Sequence, residues 1–230
     1  MIQRKWDLYE IQPIWLRRSI DLQFESIFLE LRRVSESVSP DARILDIGAG
    51  AMPWRRNFPE SCSYVGVDPY RGTEYGVIQD LGEADDADVI LLLEVLEHVE
   101  DPVAFLKKCV SKMRSGGILV LSVPWSARVH GAPRDFQRWT PDGLRQVLSG
   151  AGLRTDEWVV RGSDWTTLCN KIIVAFGRRA LNWAWTTVPA WVVGFLVGIP
   201  ALILGHLSLR MGFGMADDPL GFFVVARKSE

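Results

Sequence analysis

Apolar residues follow two rhythms along this chain of 230 residues. In Leu22–Val38, LQFESIFLELRRVSESV, the residues Leu22, Ile27, Leu31 and Val34 recur at helical spacing, while Glu25, Glu30, Arg32, Arg33 and Glu36 fall largely elsewhere. That pattern predicts an amphipathic helix ended by Ser39-Pro40. Further on, apolar residues come in short unbroken runs: Arg43–Ile47 (RILDI), Tyr64–Val67 (YVGV), Val89–Leu93 (VILLL), Ile118–Val123 (ILVLSV) and Gly221–Ala226 (GFFVVA), with Glu157–Val160 as a further strand candidate. Between them lie helical stretches, Pro102–Met113 and a helix opening at Pro141, capped by Thr140 and running to Ser149 before Gly150. Unbroken apolar strands separated by helices predict a parallel sheet covered on both faces, a doubly wound α/β fold.

The composition changes at about residue 163. Ala180–Leu209 contains no Asp, Glu, Lys or Arg and is bracketed by Arg178-Arg179 and Arg210. Elsewhere a net charge of -2 and the absence of a basic stripe exclude nucleic acid as the expected partner. Cys62, Cys109 and Cys169 are far apart with no C-x-x-C pair, so neither a zinc site nor a disulfide framework is expected, no metal ligand set is predicted, and a reducing compartment fits. The amino-terminal MIQRKWDLYEIQPIWLRR is charged, broken by Pro13 and without an apolar core, which predicts a cytoplasmic protein.

In an open parallel sheet, ligands bind beyond the carboxyl ends of the strands. Gly48 and Gly50 follow the first strand run, Asp46 precedes them, and Asp68 closes the second run, where a carboxylate can accept from ribose hydroxyls. A D-x-G-x-G alone is weak, since strand-to-helix turns use glycine anyway. Met52-Pro53 replaces the third glycine of a dinucleotide fingerprint, so a nucleoside ligand without a pyrophosphate fits better.

Taken in order, ILDIGAGAMPWRRNFP, YVGVDPY, IQDL, ADVILLLEVLEHVEDPVAFLKKCVSKMRSGGILVLSVPW and HGAPRDFQRWTPDGLRQVLSGAGL resemble the class I S-adenosylmethionine-dependent methyltransferases. The nearest group is the small bacterial enzymes with LEHV-DP and H-AP-DF-R-T signatures. The resemblance covers residues 43–160 and, less closely, FFVVARK near the end. It implies a Rossmann-like seven-stranded sheet whose last strand inserts antiparallel between the fifth and sixth, with S-adenosylmethionine as cofactor. Asp46, Gly48 and Gly50 would lie beneath its methionine part, Asp68 at the ribose, Pro69 and Tyr70 beside the adenine, Asp80 and Leu81 flanking it, and Glu94 near the amino-acid end. The segment between Asp80 and Asp88 is shorter than usual in the family, so the adenine contacts depart most from its pattern.

Methylating a hydroxyl requires removal of its proton. His98 and His130 are the candidate base or orienter, with Asp135 and Arg138 shaping the acceptor site beside Pro133, Phe136 and Trp139; a capping role for His98 and a structural ion pair for Asp135–Arg138 are the alternatives. His206 reads as an interfacial or packing residue.

The domain reading is a helical segment over 1–40, a cofactor-binding core over 41–162 plus 213–230, and a hydrophobic helical insertion over 163–212. If the last strand rejoins the sheet, the chain must return to the side it left, which excludes a single span. Two spans need about twenty residues each. An interfacial or re-entrant hairpin broken near Gly198-Ile199-Pro200 fits, with Trp183, Trp185 and Trp191 at headgroup depth, as a peripheral or monotopic attachment to the inner face of the cytoplasmic membrane through residues 180–209. A soluble lid over the pocket or a dimer interface are the competing readings. The expected activity is methylation, with O-methylation slightly favoured, of a lipid-linked glycan, quinone or other amphiphile, a sugar hydroxyl being slightly preferred. A soluble small-molecule methyltransferase and a recruited binding protein without chemistry are the alternatives, and the oligomeric state is not readable from the sequence.

Overall fold

The computed structural model describes residues 12–70, 77–130, 134–182 and 194–229, with backbone alone for 177–182. The expectations for Pro133, Trp183, Trp185 and Trp191, and for the side chains of Arg178 and Arg179, lie outside the described residues. The described elements are α1 (Ile14–Ile20), α2 (Leu22–Ser35), β1 (Arg43–Ile47), β2 (Ser63–Val67), β3 (Val77–Ile78), β4 (Ala87–Leu93), α3 (Pro102–Ser111), β5 (Met113–Pro124), α4 (Pro141–Gly150), β6 (Leu153–Arg161), α5 (Asp164–Asn182), α6 (Ile199–Met211) and β7 (Gly221–Lys228).

The strands form one sheet in the order β3-β2-β1-β4-β5-β7-β6. β1 to β5 pair in parallel, and β7 runs antiparallel to both β5 and β6. Adjacent residues of β1 and β4 point to opposite faces, and both faces are covered. Ile44, Val89 and Leu91 meet Phe24, Ile27, Leu31 and Val34 of α2. Leu45, Ile90 and Leu92 share the other face with Leu106 of α3 and Leu144 and Leu148 of α4. That two-sided burial is why the strands read as unbroken apolar runs.

The ends of elements differ from expectation for local reasons. Asp21 caps α2 by accepting from Gln23 N at 2.9 Å and Phe24 N at 3.1 Å, and the helix closes at Ser35 rather than Val38. Pro13 caps a short helix, α1, within the segment expected to be helical; a proline ahead of the first turn loses no helical hydrogen bond. β3 pairs only Val77 and Ile78, too few for any periodicity to show.

The insertion leaves the sheet after Arg161 and returns at Gly221, and these two residues are partners in the β6–β7 register. Its root is therefore at the edge where β1, β2 and β4 end. α5 and α6 lie against the start of α2, with Leu22, Cys169, Ala201 and Leu220 forming a small apolar cluster. α6 approaches through Gly205, where a Cβ would lie 2.4 Å from Leu22 Cδ1 and 3.1 Å from Cys169 Cβ. One turn on, Ser208 Oγ is 2.9 Å from Ser163 Oγ and 2.8 Å from Thr166 Oγ1. The outer side of this unit exposes Phe195, Leu196, Ile199, Ile203, Leu207 and Met211. A π turn over Gly194–Gly198 runs directly into α6, with Gly198 itself helical (φ −69°, ψ −42°), so the chain does not break at Gly198-Ile199-Pro200, contrary to the expectation from sequence. Among the described residues no helix is long and apolar enough to cross a membrane.

One acid sits inside the sheet. Asp46 is 1 % exposed and accepts a hydrogen bond from Tyr64 Oη at 2.6 Å. Burial pushes its carboxyl up to about 7, opposed by the Tyr64 bond and reinforced by the charge of Asp68. The folded state therefore binds this proton more tightly than the unfolded chain, so the residue's contribution to stability falls as pH rises from about 4 to about 7 and is level above. Asp46→Asn keeps the acceptor for Tyr64 and removes that slope. Urea midpoints of variant and wild type at pH 5 and pH 8 should diverge in the variant's favour at the higher pH; a constant difference would contradict the assignment.

Candidate active site

The loop after β1 is built from left-handed backbone. Gly48 has φ of +75° and Gly50 of +51°, and Met52 also lies there at +51°. Gly48 N donates to Val67 O at 2.8 Å, which folds the loop across the end of β2. Side-chain space is as constraining as φ: a Cβ on Gly48 would lie 2.4 Å from Val95 Cγ2, so the loop touches the turn after β4 directly. Asp68 ties the next piece down, accepting from Gly50 N at 3.0 Å through one oxygen and from Tyr70 N at 2.9 Å through the other. Asp46, Gly48, Gly50, Asp68, Pro69 and Tyr70 thus converge at the carboxyl ends of β1 and β2. Asp80 accepts from Gly82 N at 2.8 Å, capping a short turn that holds Leu81 against the core.

Glu94 closes β4 with φ of +56°, a rare conformation for a residue with a side chain. Its Oε1 accepts from Ser122 Oγ at 2.6 Å and from Arg161 Nη2 at 2.7 Å. Three residues on, Glu97 lies in a 3-10 turn, fully buried, and neither of its carboxylate oxygens has a hydrogen-bond partner among the described residues. Burial, then the nearby charge of Glu94, pushes its pKa well above the ordinary carboxylate value.

The loop after β5 is pinned onto this turn. Phe136 N donates to Glu97 O at 2.8 Å and Gln137 Nε2 to Val99 O at 3.0 Å. His98 Nδ1 lies 2.5 Å from Arg134 O, and His130 Nδ1 lies 3.2 Å from Arg128 O. A carbonyl only accepts, so these contacts assign the ring proton to Nδ1 and leave each Nε2 bare. Both bare nitrogens face Glu97, at 3.7 Å from Oε1 for His98 and 3.9 Å for His130. The rings stand edge to face with centroids 4.9 Å apart. Burial holds the His98 pKa below the ordinary imidazole value despite its Arg134 contact, which keeps it neutral near pH 7.

Asp135 and Arg138 form a two-pronged ion pair, and Asp135 Oδ2 also accepts from His130 N at 2.9 Å. The hydrogen bond from Arg138 is the main cause that lowers the Asp135 pKa to about 2. This pair spends its charge on the loop backbone, so it orders His130. A pocket of about 450 Å³ opens between the two halves, lined by Tyr70, His98, Glu100, Arg134 and Phe136.

Sequence reasoning missed two residues. Glu97 lies in the quoted LEHVED, where an acid beside a histidine was the available signal. Arg161 ends an ordinary strand and carried no signal at all. The fold also assembles a donor set that the sequence did not suggest: one ligand atom each from Glu97, His98 and His130 lies within 4.8 Å of the others, an arrangement able to hold a divalent cation. The Nδ1 contacts to backbone carbonyls are those that orient histidine ligands in metal sites.

A family model described as a methyltransferase domain matches residues 20–187. A ubiquinone biosynthesis O-methyltransferase of Parvibaculum lavamentivorans is 47 % identical over 124 residues, covering 46 % of this chain and 47 % of that protein. One from Dinoroseobacter shibae is 29 % identical over 194 residues, covering 64 % and 76 %. One from Rhodopseudomonas palustris (strain BisB5) is 28 % identical over 153 residues, and the chain spans only 59 % of its length. Among solved structures, an S-adenosylmethionine-dependent methyltransferase from Archaeoglobus fulgidus shares the fold with TM-score 0.52 and 20 % identity over 89 % of this chain and 94 % of that one. The [4+2]-cyclase SpnF does so with TM-score 0.57 and 14 % identity over 90 % and 82 %. The family match takes in the glycine loop, the Glu94–His98 turn and the His130 loop, and the chain belongs to the methyltransferase-domain family, in the class I S-adenosylmethionine-dependent fold.

Proposed function

We propose that the chain transfers the methyl group of S-adenosylmethionine to a hydroxyl of a quinone-type amphiphile at a membrane surface. The observation that carries this reading is the imidazole of His98 in the wall of a pocket that Tyr70 also lines, with the His130 ring edge to face against it. In an in-line displacement, the acceptor oxygen bonds to the methyl carbon while the S–C bond breaks and its electron pair stays on sulfur. The hydroxyl proton passes to a histidine Nε2. A phenol, with an ordinary pKa near 10, is within reach of imidazole in a way that a sugar alcohol is not. The relatives named for ubiquinone biosynthesis supply the same preference, so the phenol replaces the sugar hydroxyl favoured from sequence.

The unpartnered Glu97 carboxylate favours a second reading of the same pocket. A divalent cation held by Glu97, His98 and His130 would supply Lewis acidity to the acceptor oxygen.

Membrane action is supported by the exposed apolar side of α6 and its π turn. Trp15 is exposed next to it, and Arg18 and Arg210 line the groove between α1 and α6. Among the described residues, those lining the His98 pocket come from the loops after β2, β4 and β5. At ~25 cal/mol per Å² of buried apolar surface, such a face holds a protein reversibly on a bilayer.

The chemistry is tested with S-adenosylmethionine and a prenylated dihydroxybenzene, alone and in vesicles. His98→Ala and His130→Ala are each expected to lower kcat about a hundredfold while S-adenosylhomocysteine binding is unchanged. The acid limb of the wild-type kcat profile should fall below the ordinary imidazole pKa, as the His98 shift requires. EDTA decides between the two readings: unchanged turnover leaves the imidazole base, and loss restored by Mg²⁺, Mn²⁺ or Zn²⁺ assigns the cation. Full activity in both histidine variants would refute the site.

Membrane attachment is tested by sedimentation with anionic vesicles. Wild type should pellet, whereas Leu196→Glu/Ile203→Glu should stay in solution and still bind S-adenosylhomocysteine. Wild type remaining in the supernatant would end the membrane reading.

A further inference from the structure

Arg161 is 2 % exposed, deeper than any other arginine among the described residues. A guanidinium remains charged at any pH the protein meets, so its burial demands acceptors. Nη2 donates to Glu94 Oε1 at 2.7 Å and Val123 O at 3.1 Å; Nη1 donates to Ser26 Oγ at 3.0 Å and to Gln23 Oε1 at 3.3 Å and O at 3.4 Å. The side chain thus bridges α2 to the turn after β4.

Glu94 is fixed asymmetrically. Ser122 and Arg161 both bind Oε1, and Oε2 accepts no hydrogen bond among the described residues. The side chain is 25 % exposed, so this free oxygen borders open space. That space is beside the glycine loop, because Val95, the next residue, fills the volume that a Cβ on Gly48 would need.

Room for the arrangement is reserved at Gly221. A Cβ there would lie 2.3 Å from Arg161 Nη2 and 2.3 Å from Val123 O. The glycine is therefore required by the clamp itself.

Resting on the S-adenosylmethionine reading, we propose that Arg161 is a positioning residue for cofactor binding. With Ser122 it locks Glu94 in its left-handed conformation, so that Oε2 receives the α-ammonium of the cofactor's amino-acid tail. An anion with one oxygen anchored and the other free offers a charge-assisted hydrogen bond to a cation without first ordering its own side chain. The clamp recognises the tail alone and adds nothing to the nucleoside contacts at Asp68.

The test is calorimetric titration with two probes, S-adenosylhomocysteine and 5′-methylthioadenosine, which lacks the amino-acid tail. Arg161→Gln should raise the Kd for S-adenosylhomocysteine about tenfold and leave that for 5′-methylthioadenosine within about twofold. Glu94→Gln should do the same, and the double variant should add little, as expected for two residues acting through one contact. Equal weakening of both probes, or unchanged S-adenosylhomocysteine affinity, overturns the proposal. If Arg161→Gln does not fold, Ser122→Ala decides in its place, since it removes one anchor of Oε1 and leaves the guanidinium buried and paired; the same selective loss is expected. Wild type binding neither probe would instead refute the cofactor reading on which the clamp rests.

Discussion

A charge that cannot be neutralised must be matched wherever it is buried, and in this fold the Arg161 guanidinium is the charge around which the carboxyl edge of the sheet is arranged. Its acceptors come from the first long helix, from the turn after β4 and from the end of β5. Gly221 has no side chain because the guanidinium occupies that space, and the register that places Gly221 opposite Arg161 sets where the insertion departs and returns. Cofactor turn, sheet edge and insertion root therefore meet at one side chain.

The site divides by the kind of group that builds it. The side expected to hold the cofactor is mostly backbone: left-handed residues at Gly48 and Gly50, and amides fixed by Asp68. The side proposed to receive the acceptor is mostly side chain, with His98, His130 and Glu97 held by a loop whose order comes from Asp135 and Arg138. Backbone geometry leaves a trace in sequence, because only certain residues tolerate it and they occur at strand ends. For that reason the left-handed loop of Gly48 and Gly50, and the Asp68 that fixes it, show in the sequence as a strand-end pattern.

The acceptor half was half readable. His98 and His130 are rare residues in a quotable pattern, yet nothing local says that their rings lie 4.9 Å apart. Glu97 is in the same motif as His98, but its burial arises from the β5 loop folding over it, which no spacing in LEHVED encodes. Arg161 is the extreme case: its partners Val123, Glu94 and Ser26 are 38, 67 and 135 positions away. The strands were legible where two-sided burial makes them continuously apolar and illegible where they are short or edge-like, as β3 is. Asp135 and Arg138 do form an ion pair, but one three residues apart looks the same in sequence whether it meets a substrate or orders its own loop.

Sharing this sheet does not fix what happens at its edge, since a [4+2]-cyclase has the same fold. What distinguishes this chain is therefore sought in the parts that the sheet positions without determining. One is the imidazole pair; the other is the helical insertion, whose apolar outer side starts from the same edge. α6 docks against the domain through its small residues Ala201, Gly205 and Ser208, with Leu204 beside them, and leaves most of its large apolar residues exposed or half-buried. A helix selected only to stabilise the domain would bury its largest side chains, because burial is worth roughly 25 cal/mol per Å² of apolar surface. This helix instead leaves Ile199, Ile203, Leu207 and Met211 exposed among the described residues.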